Sequence, residues 1–87
     1  MVSKWAVDCG RLVRLRRQEL GWDRRTLAQL VGTTEPTMLR IEAGSLNPRD
    51  YMKFAIAAAL ATEVQQLWPF PARIDIARAA SIQPVGA

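Results

Sequence analysis

The segment spanning residues 24–42 constrains the fold more than any other part of the chain. Within it a small residue, Ala28, stands four positions before a glycine, Gly32. A small side chain at position 28 lets a following helix cross close by, and Gly32 permits the positive φ of a tight turn. Three apolar residues are spaced to fill the wedge between the helices: Leu27, Met38 and Ile41. The segment therefore predicts two short helices that meet at a steep angle through a tight turn.

Capping residues and glycines divide the rest of the chain into further helices. Asp23 is a typical N-cap for the helix that contains Ala28, and Gly21 and Gly44 are typical C-terminal stops. Thr62 with Gln65 has the pattern of a capping box. The five predicted helices run from Ser3 to about Leu20, from Asp23 to Gly32, from Thr33 or Thr34 to Ala43, from about Arg49 to Leu60, and from Thr62 to about Trp68. The sequence predicts an all-α fold.

Apolar spacing predicts which side of each helix is buried. On the second helix we expect three inward residues, Leu27, Leu30 and Val31. On the fourth we expect Tyr51, Phe54 or Ala55, Ala58 and Leu60. Trp22 and Trp68 are expected in the core rather than as stacking platforms for bases. One apolar position of the first helix is held by Arg16, which leaves the packing register of that helix open.

Composition excludes several classes of function. Histidine is absent and Cys9 is the single cysteine, so zinc sites, an internal disulfide and the commonest general base are missing. We therefore expect no enzyme, metal or cofactor. The longest apolar run, residues 54–61, is far too short for a membrane span, and the N-terminus lacks the pattern of a signal peptide. A cytoplasmic, nucleoid-associated protein is the expectation.

The charge indicates a polyanionic partner. The net charge is +4, and arginine supplies most of the twelve basic residues. A small, arginine-rich basic protein favours nucleic acid as that partner.

Residues 10–68 resemble the helix-turn-helix domain of phage repressors and Cro proteins, a five-helix fold. Several stretches carry the resemblance in the right order: LAQLVGTT, TMLRIEAG, Asn47-Pro48, IAAAL and VQQLW. The resemblance implies a transcriptional regulator that binds double-stranded DNA, is usually dimeric, and presents helix 34–43 to the major groove. It divides the chain into a DNA-binding domain, residues 1–68, and a C-terminal extension of uncertain structure, residues 69–87.

The resemblance also assigns roles to individual residues. Arg40 lies on the outward face when Met38 points inward, and its guanidinium matches the O6 and N7 acceptors of guanine. Base contacts are predicted for Arg40, Glu35 and Thr37. Phosphate contacts are predicted for Arg24, Arg25, Thr34, Ser45, Asn47 and Arg49. Arg17 and Glu42 are expected to form an ion pair that joins the first helix to the third. Pro36 cannot hydrogen-bond to a base, so fewer side chains of this helix are able to read base pairs directly.

Two alternatives remain open at the level of sequence. The first is a phage-encoded repressor or Cro-like protein or, as a close variant, the antitoxin of a toxin–antitoxin pair whose tail binds the toxin. A protein-interaction module that kept the fold without the DNA site is the alternative from another class, suggested by Glu35 and Pro36. The apolar residues Ile74, Ile76 and Ile82 are candidates for the dimer or partner contact.

Overall fold

The computed structural model describes residues 3–69, which form five α-helices without strands. The helices are α1 (Lys4–Glu19), α2 (Arg24–Val31), α3 (Glu35–Ala43), α4 (Asp50–Ala59) and α5 (Val64–Leu67). The all-α, five-helix prediction is confirmed, and each boundary falls within a few residues of its predicted place. The expectations for Ile74, Ile76, Ile82 and the rest of the extension lie outside the described residues.

The caps explain where the helices begin and end. The Ser3 side chain accepts a hydrogen bond from the Ala6 amide, and the Asp23 side chain accepts one from the Thr26 amide. Gly32 has φ of 80° and ends α2, and Gly44 has φ of 81° and ends α3. These positive φ values are the reason that glycine stands at both positions.

The core lies between the helices, where α1 and α2 pack against α3 and where α4 packs against α2 and α5. The three wedge residues of the sequence prediction are buried, with Leu27 and Met38 fully inaccessible and Ile41 2% exposed. Ile56 and Leu60 complete the core from α4, and Trp68 closes it beside α5. Trp68 is buried and Trp22 packs against the core while partly exposed, so both serve packing as expected.

Two close approaches fix α1 against the end of α3. A Cβ at Gly10, in the middle of α1, would collide with the backbone carbonyls of Ile41 and Glu42. A Cβ at Gly44 would lie 2.6 Å from the Cα of Val7. The backbones touch at both places because neither glycine carries a side chain.

Four predicted inward residues of α2 and α4 are exposed, and helical geometry explains the difference. Leu30 is 58% exposed, because Leu27, Ala28 and Val31 define the inward direction and Leu30 lies about 100° away around the helix. On α4 three residues of the predicted stripe are also exposed, with Tyr51 at 68%, Phe54 at 64% and Ala58 in solvent, whereas Leu60 is buried as predicted. The inward stripe of α4 contains Met52, Ile56, Ala57 and Leu60.

The predicted capping box before α5 does not form. Glu63, not Thr62, is the N-cap residue, and it makes no side-chain capping hydrogen bond. The Thr62 amide instead donates to the Ala57 carbonyl at 2.9 Å, so Thr62 belongs to the turn that ends α4.

The packing of Arg16, which the sequence left open, is defined by two hydrogen bonds. Its Nε donates to the Leu60 carbonyl at 2.9 Å, and its Nη2 donates to the Ala61 carbonyl at 3.4 Å. Arg16 thus caps the C-terminal end of α4, where carbonyls lack partners within the helix.

Candidate nucleic-acid interface

The turn between α2 and α3 is tight and begins with two backbone hydrogen bonds. The Gly32 amide donates to the Gln29 carbonyl, and the Thr33 amide donates to the Ala28 carbonyl at 2.8 Å. Thr34 then begins α3 as its N-cap, with its Oγ1 accepting from the Thr37 amide at 3.3 Å. Three residues therefore separate the last residue of α2 from the first of α3, which holds the two helices as one unit.

A buried ion network joins α1, α2 and α3 at the end of α3. Arg17 Nε lies 2.7 Å from Glu42 Oε2 and Arg17 Nη2 lies 3.0 Å from Glu42 Oε1, a two-pronged pair between side chains that are 8% and 2% exposed. Arg17 Nη1 also donates to the Trp22 carbonyl at 2.9 Å. The structure brings together the two residues for which the sequence predicted a pair.

Arg24 is the third member of this network, which we call the Glu42 network (Arg17, Glu42 and Arg24). Its Nε lies 3.2 Å from Glu42 Oε1, and its side chain is 27% exposed. The sequence predicted a phosphate contact for Arg24 and did not predict its contact with Glu42. The signal was absent from the sequence because the two residues are 18 positions apart and share no helix.

Electrostatics favour the charged form of Arg17 within the network and of Asp23 beside it. The hydrogen bonds to Glu42 raise the pKa of Arg17 above its usual value and outweigh the opposing effect of burial. Hydrogen bonds from Thr26 lower the pKa of Asp23, and the nearby Arg25 and Arg17 act in the same direction. The start of α2 therefore keeps a charged cap beside two arginines.

The N-terminal part of α3 is engaged in contacts within the chain. Thr34 Oγ1 donates to Thr37 Oγ1 at 3.0 Å, which uses the Thr34 proton and leaves the Thr37 hydroxyl as a donor. Glu35 Oε1 lies 3.7 Å from Arg25 Nε, with the two side chains 42% and 74% exposed. An exposed pair at this distance contributes little to stability, so both groups are available to other partners at small cost.

The outward side of α3 and the following loop carry the remaining predicted contacts. Arg40 is exposed, and its side chain has no hydrogen-bond or ion-pair partner among residues 3–69. Ser45 Oγ donates to the Arg40 carbonyl at 3.3 Å and remains exposed. Asn47 and Arg49 are exposed on either side of Pro48, which is buried. The structure therefore places candidate contacts directly before α3, along it and directly after it.

The part of the chain that the structure describes has no metal site, membrane-spanning helix or exposed thiol. Between residues 3 and 69 there is no group of three metal-ligating side chains. Within the same range no helix has the length and apolarity that crossing a bilayer requires. Burial raises the pKa of the Cys9 thiol, and Cys9 is 1% exposed, which is typical of a core residue.

A family model described as a helix-turn-helix domain matches residues 8–66 of this sequence, about two-thirds of the chain. The chain belongs to the helix-turn-helix domain family. The match covers α2, the turn and α3 together with most of the helices that support them. The resemblance seen in the sequence is therefore confirmed at the level of the family.

Solved structures agree with this helix-turn-helix assignment. The restriction-modification controller protein C.AhdI from Aeromonas hydrophila superposes with a TM-score of 0.69 at 29% identity, over 71% of this chain and 94% of its own. A hypothetical transcription factor, NHTF from Neisseria, superposes with a TM-score of 0.70 at 22% identity, over 87% of this chain and 92% of its own, and shows the shared fold. No curated protein sequence matches the chain.

Proposed function

We propose that this helix-turn-helix chain is a sequence-specific transcriptional regulator that binds double-stranded DNA with α3 in the major groove. The observation that carries the proposal is the state of Arg40, which is exposed on the second helix of the unit and has no intrachain partner among residues 3–69. A guanidinium in that position matches guanine O6 and N7. Family membership and a neighbour named as a controller protein support the regulator class.

The polar groups around α3 suit the DNA backbone. Arg24 and Arg25 begin α2, Thr34 precedes α3, and Ser45, Asn47 and Arg49 follow it. Contacts with phosphate at both ends of a recognition helix fix its orientation without reading sequence. Glu35 and Thr37, in the first turn of α3, are the further base contacts that we propose, with Glu35 leaving its weak pair with Arg25 to accept from a cytosine.

The regulator is proposed to be a repressor or Cro-like protein that acts as a homodimer in the cytoplasm. A single short recognition helix reads few base pairs, and two copies would read half-sites about 34 Å apart. Two surfaces are candidates for the dimer contact. One is the extension of residues 69–87, and the other is the outward side of α4, where Tyr51 and Phe54 are mostly exposed. Clustered exposed aromatics are typical of association surfaces.

The dimer proposal is tested by measuring mass in solution with and without DNA. Deletion of residues 72–87 examines the extension, and the double substitution Tyr51→Ser with Phe54→Ser examines α4. Leu30→Ser is the matched control, because Leu30 is exposed to a similar extent on another helix. The variant that yields monomers identifies the surface, and a monomeric wild type on a two-half-site duplex overturns the proposal.

DNA binding itself is tested by titrating a labelled random duplex at roughly 50 and 200 mM salt. We expect binding at the lower concentration and a steep loss at the higher one, because arginine contacts with phosphate release counterions. No binding at the lower concentration would instead favour a protein-interaction module that has the fold without the DNA site.

Arg40→Ala tests the base-reading part of the proposal. On the preferred site we expect a loss of about 1–3 kcal/mol, with a smaller loss on duplexes that differ at the base pair read by Arg40. Arg14→Ala is the matched control, since Arg14 is an exposed arginine on α1 and its loss changes the charge equally. If Arg40→Ala lowers the affinity for every duplex by the same factor, Arg40 contacts phosphate and does not read a base.

A further inference from the structure

We propose that Glu42 is a positioning residue for DNA binding, which holds Arg24 so that the outer nitrogens of its guanidinium face a phosphate. The inference rests on the proposed function, since it specifies how one of its backbone contacts is built. It gives the buried carboxylate at the end of α3 a second role beside its pairing with Arg17.

The carboxylate of Glu42 is itself held rigidly. Its side chain is 2% exposed, its Oε2 is 2.7 Å from Arg17 Nε, and its Oε1 is 3.0 Å from Arg17 Nη2. Arg17 is fixed in turn by the Trp22 carbonyl at 2.9 Å, just before α2 begins. Because Arg24 Nε shares Glu42 Oε1 at 3.2 Å, the position of Arg24 is tied to α1 and α3 as well as to its own helix.

Arg24 uses only one of its three nitrogens in this network. Nη1 and Nη2 have no partner among residues 3–69, and the side chain is 27% exposed, so part of the guanidinium reaches solvent. Two guanidiniums and one carboxylate leave the Glu42 network with one positive charge, which favours an anion. A flexible arginine loses rotamer freedom when it binds phosphate, whereas Arg24 is already ordered by Glu42.

The neighbouring Arg25 supplies the contrast within the same helical turn. Its side chain is 74% exposed, and its ion-pair partner, Glu35, is 3.7 Å away and 42% exposed. Nothing buried orients Arg25, so its contact with phosphate depends on charge more than on geometry. The two adjacent arginines therefore predict different responses to a substitution that keeps the charge.

The first test is the pair Arg24→Lys and Arg25→Lys, measured as affinity for a random duplex at roughly 50 mM salt. Lysine keeps the charge but has no Nε donor for Glu42 and no planar fork. We expect Arg24→Lys to weaken binding about tenfold and Arg25→Lys about twofold or less. Equal effects of the two substitutions would overturn the positioning role.

The second test is a double-mutant cycle of Arg24→Ala with Glu42→Gln on the same duplex, with helical circular dichroism to establish folding. If Glu42 positions Arg24, the loss caused by Arg24→Ala is smaller when Glu42→Gln is present. Additive losses would show that Glu42 acts on stability alone, and tighter binding by Glu42→Gln would show that it competes with phosphate; either result overturns the inference.

The outcomes separate this inference from the proposed function. A wild type that fails to bind duplex DNA refutes both. A wild type that binds, with an additive cycle or equal lysine effects, refutes the positioning role and leaves DNA binding intact. If Glu42→Gln does not fold, the comparison of Arg24→Lys with Arg25→Lys still tests the positioning role, because both variants retain the Glu42 carboxylate.

Discussion

The inward and outward sides of α3 differ in almost every physical respect. The inward side has Met38 and Ile41 in the core and a Glu42 side chain that is 2% exposed and held by two arginines. The outward side has Leu39 at 49% exposure and Arg40 in solvent. Contacts within the chain fix the inward residues, so their substitution is expected to change stability. The outward residues make few such contacts, so their substitution is expected to change DNA binding.

The largest expected effect comes from breaking the Glu42 network. Arg17→Ala or Glu42→Ala removes one partner of a buried pair and leaves a charge without compensation, at a cost of about 3–5 kcal/mol in the free energy of unfolding. Chemical denaturation measures that cost. Lys4→Ala is the control, because Lys4 pairs with Asp8 on the surface, and its loss should cost about 1 kcal/mol or less. An unchanged unfolding midpoint for both network variants would contradict a structural role for the pair.

Gly10→Ala tests the close contact between α1 and the inward side of α3 through the sign of the change in stability. Helix propensity alone predicts that alanine in the middle of α1 stabilises the protein by roughly 0.5–1 kcal/mol. The structure predicts the opposite, a loss of about 1–3 kcal/mol, because the new Cβ would collide with the carbonyls of Ile41 and Glu42. Thermal unfolding of this variant beside Gln18→Ala, an exposed position of the same helix, shows which effect is larger. A higher melting temperature for Gly10→Ala would mean that α1 and α3 are not this close.

Asp23, the exposed N-cap of α2, predicts a pH dependence. Hydrogen bonds from Thr26 lower its pKa in the folded protein. The resulting stabilisation is fully present above the unfolded pKa of about 3.9 and is lost as the pH falls through the lowered value. Asp23→Asn keeps a capping oxygen but does not titrate. We expect the difference in stability between wild type and Asp23→Asn to shrink on acidification from pH 7 to about pH 2. A difference that stays constant with pH would show that the charge of Asp23 does not contribute.

The smallest effect on stability is expected for the exposed pair between Arg25 of α2 and Glu35 on the outward part of α3. Arg25→Ala removes the exposed pair with Glu35, so the free energy of unfolding should change by about 1 kcal/mol or less, while the affinity for all duplexes falls together. Parallel denaturation and DNA titration of this variant compare the two quantities directly. A loss of stability as large as that of Glu42→Ala would erase the distinction between the two sides of α3.

Local signals were sufficient for the first three helices and their caps, whereas the capping box predicted before α5 does not form. Ser3, Asp23, Gly32 and Gly44 act through neighbouring residues, so the sequence alone located them. The buried side of α4 was not predictable in the same way. That helix has apolar residues on both sides, so periodicity offered two stripes, and packing against α2 and α5 selected the one containing Ile56.

The positions of single residues in the candidate site were predictable from the sequence, whereas several contacts between helices were not. The outward position of Arg40 follows from the inward position of Met38, which helical periodicity indicates. The contact between Arg24 and Glu42 depends on how α2 meets α3, and the capping of α4 by Arg16 depends on how α1 meets α4. Such contacts join residues far apart in sequence, and no local pattern encodes them.

The central claim is that the outward side of α3 reads base pairs, and selection of bound duplexes from a random DNA pool tests it most directly. Wild type and Arg40→Ala are selected in parallel under the same salt. We expect the wild-type pool to converge on a sequence that contains a fixed G·C pair, and the Arg40→Ala pool to lose preference at that pair alone. Identical consensus sequences from the two proteins, or no convergence with the wild type, would contradict the claim.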